Sequence, residues 1–252
     1  MYKLAEFLNR PVNSLYRECL LKHKLLFDIQ LAFANNGRRL LIYESEYDQD
    51  GFDLIFDDLN LHKHFQVKSI VSPSKTSSFE IHRNLLRPSL KEIDYYPVSP
   101  DSFGIGYGGG VLLIEVVPNA SDLSVNYYFT DGLILSAFSA GIFRYKLSVS
   151  QGSVEKCFQK FADPTQYGGK IKITKPCFIK FVSLSKLFSY CGFQIEDCGG
   201  ARFNLLRAVA RKCGHSNEVD SKLNFEPWKK ILHRDFVNLI QWEDLIHKNV
   251  LE

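Results

Sequence analysis

The sequence predicts an α/β fold, one mixed sheet with helices laid against it. Three observations lead there. A helical pattern from residue 14 to about 35 is followed by three strand-like runs, "RLLIYESE", "FDLIFDD" and "HFQVKSI". A helical stretch then precedes two further strands, "VLLIEVV" and "VNYYFTD". The apolar run "GLILSAFSAG" follows them as a buried helix. Elements in this order form a sheet layer covered by helices.

Each element has its local reason. Asn13 or Ser14 can cap the first helix, and "NNGRR" stops it after Asn35. "YDQDG" and the polar bend after Asp57 separate the three strands of a meander. Ser77 or Ser78 can cap a short helix through "FEIHRNLL", closed by Pro88. A glycine-rich connection, ending "GIGYGGG", leads into "VLLIEVV". Past Phe143 the pattern changes. "KIKITKPCFIKFV" alternates like strands, and "SLSKLFSYCG" reads as a helix from Ser183 to Gly192. "ARFNLLRAVARKCG" and "EPWKKILHRDFVNLI" read as further helices, with Pro227 in the first turn of the latter. A soft boundary near 150 divides a core, residues 1–150, from a C-terminal α+β accessory lobe, residues 151–252, within one domain or two.

The 252 residues are 45% apolar, enough for a packed core, and no run reaches the roughly eighteen apolar residues of a membrane span. The start, "MYKLAEFLNRPVNS", shows no signal peptide, and the six cysteines include no CxxC pair; reduced thiols in a cytoplasm are expected. Net charge is only +3, but between Phe143 and Tyr190 nine bases stand against two acids, with aromatics interleaved. Such a stripe suits a polyanion or is simply a solvated face. Lys170, Lys172 and Lys175 are the candidate phosphate contacts in it, joined by Arg207 and Arg211 on one face of a later helix.

The chemistry concentrates between residues 18 and 68. Gln66 and Lys68 are two apart, so they share one face of a strand. Asp53 opens the neighbouring strand after the Asp50–Gly51 turn, within reach of both. At about 100° per residue, Glu18 projects between the azimuths of Leu25 and Ile29, so it is expected to face the sheet. Hard oxygens from Asp53, Glu18 and Gln66 would suit Mg²⁺, and Lys68 could orient water and stabilise charge on a phosphodiester. A buried acid–lysine pair in a plain sheet is the simpler account of any one of these residues. Asp57 and Asp58 read mainly as bend residues before Asn60.

"GFDLIFDD" followed by "FQVKS" resembles the core of the PD-(D/E)xK, or restriction-endonuclease-like, nuclease superfamily, with Gln66 in the manner of the QxK branch of Mrr-like enzymes. The resemblance covers residues 14 to about 141 and implies an αβββαβ core. It implies that Asp53 and the Val67 carbonyl bind Mg²⁺ or Mn²⁺, that Gln66 assists, that Lys68 is catalytic and that Glu18 supports the site. No Pro precedes Asp53, and Gln66 leaves one negative charge fewer than an acid would. The function expected is endonucleolytic cleavage of double-stranded DNA in restriction or defence, with a homodimer as one arrangement for cutting both strands. A non-catalytic nucleic-acid-binding member of the fold, an RNA-directed nuclease and a module whose basic lobe binds an acidic partner are the alternatives.

Other signals are set aside. "GIGYGGG" precedes a strand instead of following one, so it reads as a turn and not a dinucleotide loop. His62 and His64 read as exposed bend residues. Cys191, Cys198, Cys213 and His215 lack the close ligand pairs of structural zinc sites.

Overall fold

A computed structural model of the chain describes residues 4–45, 51–92, 105–118, 123–139, 151–162, 169–196 and 202. A short helix α1 (Leu4–Asn9) and a 3-10 turn lead into the long helix α2 (Ser14–Asn35). Leu21, Leu25, Ile29 and Phe33, spaced by four, are the residues α2 buries, as expected where every fourth side chain falls on one face. Three antiparallel strands follow: β1 (Leu41–Glu44), β2 (Leu54–Asp57) and β3 (His62–Val71). The β2–β3 bend is closed by its own acids. Asp57 accepts from the Leu59 N–H, and one Asp58 oxygen accepts from the N–H groups of Asn60 and Leu61. Both acids are turn residues.

The next segment departs from expectation. Ser78–His82 forms a strand, β4, and only Arg83–Leu86 turns helical, as α3. The residues alternate with period two: Phe79 and Ile81 are buried, Glu80 is exposed. That alternation outweighs the capping signal at Ser77 and Ser78 because β4 finds a partner, the strand β7 (Lys170–Thr174).

After the glycine run, β5 (Gly110–Pro118) lies parallel to β3, and β6 (Leu123–Asp131) returns antiparallel to β5. Helix α4 (Gly132–Ser139) follows, then an amphipathic helix α5 (Gln151–Ala162) that the sequence reading passed over. Beyond β7 come the two-residue strand β8 (Ile179–Lys180), hydrogen-bonded to β6, and helix α6 (Leu184–Cys191). Ser183 caps α6 by accepting from the Lys186 N–H at 3.2 Å, and Gly192 ends it at φ 102°, where a glycine escapes the Cβ clash. The result is an α/β architecture with a mixed six-stranded sheet, ordered β1-β2-β3-β5-β6-β8, and a two-stranded sheet β4-β7. No helix among the described residues is long and apolar enough to cross a membrane.

The two sheet faces differ. Leu54, Phe56, Phe65, Leu112 and Phe129 share one face by register. Phe33 of α2 and Phe188 of α6 cover it, with ring centroids 5.2 Å apart and Phe188 5.3 Å from Phe56. Gln66, Lys68, Val111, Leu113 and Tyr128 lie on the other face. Phe65 is fully buried at the centre of the first face. Phe65→Ala is expected to cost about 3–5 kcal/mol of stability, and Lys172→Ala, on the exposed side of β7, less than about 0.5 kcal/mol; urea unfolding of both variants checks the contrast.

Candidate functional site

The β2–β3 ladder runs only from Leu54 opposite Phe65 to Asp57 opposite His62, yet β3 continues to Val71. Among the described residues no strand pairs with this edge of β3 beyond Phe65, which leaves a notch where β2 has not yet begun. Asp53 fills its end. The Asp53 N–H donates to the Phe65 carbonyl at 2.8 Å, and the Val67 N–H donates to Asp53 Oδ2 at 2.5 Å. The carboxylate thus replaces the ladder acceptor that Val67 would otherwise lack. A strand residue turns its N–H and C=O to the same edge, so the Val67 carbonyl faces the notch as well.

Continuing the register by one residue sets Asp53 opposite Gln66, on the face that also carries Lys68. Gln66 is 4% exposed, and its Oε1 has no hydrogen-bond partner among the described residues. An orphaned buried acceptor costs on the order of 1–3 kcal/mol. Lys68 is half-buried opposite Leu113 of β5. Asp53, Gln66, Val67 and Lys68 are therefore brought together as the sequence suggests.

Glu18 is not. It is exposed, and it belongs to a helix that covers the Phe65 face, opposite Gln66 and Lys68. Its azimuth is right, but it lies seven residues, about 10 Å along the axis, before Leu25. In that part of α2 even Leu15 and Tyr16 are 81% and 61% exposed. The oxygen donors left for a divalent cation are one carboxylate, the Gln66 amide and the Val67 carbonyl. These are hard ligands of the type Mg²⁺ and Mn²⁺ take, and the orphaned Gln66 oxygen fits that role. No group of three or more His, Cys, Asp or Glu side chains able to hold a metal occurs among the described residues.

The basic residues separate. Lys170 and Lys172 are exposed on β7, with Lys172 directly across from Glu80. Lys175, in contrast to expectation, is engaged: its Nζ lies 2.8 Å from Glu115 Oε1 and 6.0 Å from the Tyr128 ring centre. Burial alone would raise the Glu115 carboxyl pKa, but hydrogen bonds from Lys175 and Tyr128 outweigh it and hold it below the ordinary value. Arg207 and Arg211 lie outside the described residues, as do Cys198, Cys213 and His215.

Two features were missed in the sequence. The first is a buried charge network. Lys63, 3% exposed, lies 3.7 Å from Glu92 Oε1, which also accepts from Arg202 Nε at 3.0 Å. Arg202 reaches Asp131 Oδ2 at 2.6 Å, and Asp131 Oδ1 accepts from the Tyr190 hydroxyl and the Ile134 N–H. Burial, reinforced by Arg202, pushes the Lys63 ammonium below its ordinary pKa. Burial would raise the Glu92 carboxyl, but Lys63 and Arg202 prevail and lower it. The signal available was Lys63's alternation with Phe65 and Val67, a charge on the apolar face.

The second is an aromatic group beside Asp53. His64 is no bend residue. Its ring lies 4.5 Å from Phe52 and 4.8 Å from Tyr107, and Phe52 lies 5.3 Å from Tyr107. Tyr107 is held by the glycine run, where the N–H groups of residues 106 to 109 donate in turn to Pro88, Asn84, Arg87 and Leu85 carbonyls at 2.7–3.0 Å. A Cβ on Gly106 would lie 2.2 Å from Asn84 O, and one on Gly109 2.3 Å from His64 O. The glycines are there for close approach to α3 and β3. Beside this group opens a cavity of about 220 Å³, with His64, Tyr107, Lys63 and Glu92 in its lining.

Comparison with known proteins returns no matching family model, no matching curated protein and no matching solved structure.

Two outcomes follow from the geometry. Asp53→Asn keeps an oxygen for the Val67 N–H and is expected to destabilise less than Asp53→Ala, which should cost about 1–3 kcal/mol; denaturant titration checks both. The folded Glu115 binds its proton more weakly than the unfolded one, whose ordinary pKa is 4.5. Its stabilisation is therefore present above about pH 4.5 and lost as pH falls through the folded value. Glu115→Gln should flatten that part of the stability–pH curve, measured by thermal unfolding between pH 3 and 6.

Proposed function

We propose that the protein is a divalent-metal-dependent endonuclease that hydrolyses DNA phosphodiesters, built on a PD-(D/E)xK-like core in its QxK form and serving restriction or defence in the cytoplasm. The observation that carries the reading is the notch: a carboxylate from the start of β2 bonded to Val67, the middle residue of Gln66-Val67-Lys68. The order helix, three antiparallel strands, crossover and a strand parallel to β3 supports it.

In this reading Asp53, Gln66 Oε1 and the Val67 carbonyl hold the cation. Bound there, Mg²⁺ or Mn²⁺ supplies Lewis-acid charge to the phosphoryl group and lowers the pKa of the attacking water. Lys68, on the same face as Gln66, orients that water and stabilises the negative charge that builds on the phosphate. Lys170 and Lys172, exposed on β7, are the lysines free to meet the backbone of double-stranded DNA. Cutting both strands by a homodimer is consistent with this scheme.

A second reading has its own support. Asp53 is the one carboxylate in the notch among the described residues, and its Oδ2 is already spent on Val67. A DNA-binding protein that no longer cuts would look the same. Supercoiled plasmid incubated with Mg²⁺, with Mn²⁺ and with EDTA distinguishes them. The expected result is nicking that requires the metal and falls at least 100-fold in Lys68→Ala, while DNA binding in EDTA persists. Full cleavage by Lys68→Ala would sink the mechanism, and binding with no cleavage under any metal would select the second reading.

A further inference from the structure

The cavity next to the notch has walls and polar groups that the phosphodiester chemistry does not use. His64 lies on the face of β3 that carries Gln66 and Lys68, two residues before Gln66 and so about 6.6 Å away. Its ring and that of Tyr107 are inclined at 39°, and both line the cavity together with Leu61. Phe52, bonded to Asp53 in the chain, packs edge-on against both rings and is 8% exposed. Gly108, at φ 60°, sits where a Cβ would come within 2.6 Å of Glu92 Oε2. That oxygen has no hydrogen-bond partner among the described residues, although Glu92 is 6% exposed and lines the cavity. Lys63 supplies a cation at the same wall.

Aromatic faces, an aliphatic side, one unspent acceptor and one donor are the features of a site for a flat, polar, hydrogen-bonding ring. A cavity of about 220 Å³ has room for a single heterocycle. Building on the reading of the notch as a phosphodiester site, we infer that the cavity receives one unstacked nucleobase of the DNA strand whose backbone lies along Gln66 and Lys68. Tyr107 stacks on the base, with His64 packed against the Tyr107 ring. Glu92 accepts from a ring N–H group on its edge, and Lys63 donates to a neighbouring carbonyl, a pairing that suits guanine or thymine. Unstacking a base costs a few kcal/mol in a duplex and least where the strand is already unpaired, so strands with an unpaired base are the preferred substrates.

The test uses the full chain in EDTA, where nothing is cleaved, and single-stranded oligonucleotides carrying one 2-aminopurine. Bound by the parent protein, the probe is expected to change fluorescence as its environment switches from neighbouring bases to protein rings. Tyr107→Ala should weaken binding at least about fivefold, the lower bound for one base–aromatic stack, and abolish the fluorescence change; Tyr107→Phe should restore both. An oligonucleotide abasic at the same position should bind parent and Tyr107→Ala alike. Parent binding that is equal in Tyr107→Ala, with unchanged probe fluorescence, overturns the pocket and leaves the endonuclease reading standing. No binding of any oligonucleotide or duplex by the parent overturns both.

Discussion

The parallel pairing of β3 with β5 is the constraint on which the rest depends. Two parallel neighbours cannot be joined by a hairpin; the chain must leave the sheet and come back to the same end. Here the excursion is spent on β4, α3 and the glycine run, and its last residues are laced by main-chain bonds to α3 before β5 starts. The pairing fastens one edge of β3 along seven residues, from Phe65 to Val71. The other edge is covered by β2 only as far as Phe65. A strand held firmly on one side and, among the described residues, unpaired on the other beyond Phe65 presents backbone groups at a fixed place, and Asp53 occupies it.

The buried charges tie the same elements from the opposite side. Lys63 comes from β3, Glu92 from the excursion, Asp131 from the end of β6 and Arg202 from beyond α6. Among the described residues two cations and two anions meet here, a set of zero net charge, and each member depends on the others. Removing one leaves an uncompensated charge, which costs about 3–5 kcal/mol. The network contributes more to fixing which segments meet than to net stability. Through Lys63 it also fixes the start of β3, where His64 and the cavity lie.

Much of this was legible in the sequence, and the failures are instructive. The notch could be read because strand alternation is local: Gln66 and Lys68 must share a face, and Asp53 must open the adjoining strand. Glu18 was misjudged because a helical wheel reports azimuth and not position along the axis; the helix begins beyond the sheet. "SFEIH" carried both a capping serine and period-two alternation, and the partner that decided for a strand, β7, lies some ninety residues later. Lys63 was hidden because its partner Glu92 and the rest of the network, Asp131 and Arg202, are 29, 68 and 139 positions away in the chain. Long-range charge pairing leaves no local pattern. The role of "GIGYGGG" was half visible: it is a connection, but a tightly bound one and not a loose one.

That last stretch bears on how loss of function should be interpreted. At positions 106, 109 and 110 even a methyl group would fall within about 2.3 Å of another atom, two of those atoms being main-chain oxygens and the third the Phe129 ring. In a comprehensive substitution screen these glycines would score as harshly as Asp53 or Lys68 while contributing no reactive group. Scoring cellular abundance alongside activity would sort the two kinds: replacements at the glycines deplete the protein itself, whereas a well-chosen change at Lys68 leaves the amount of protein untouched.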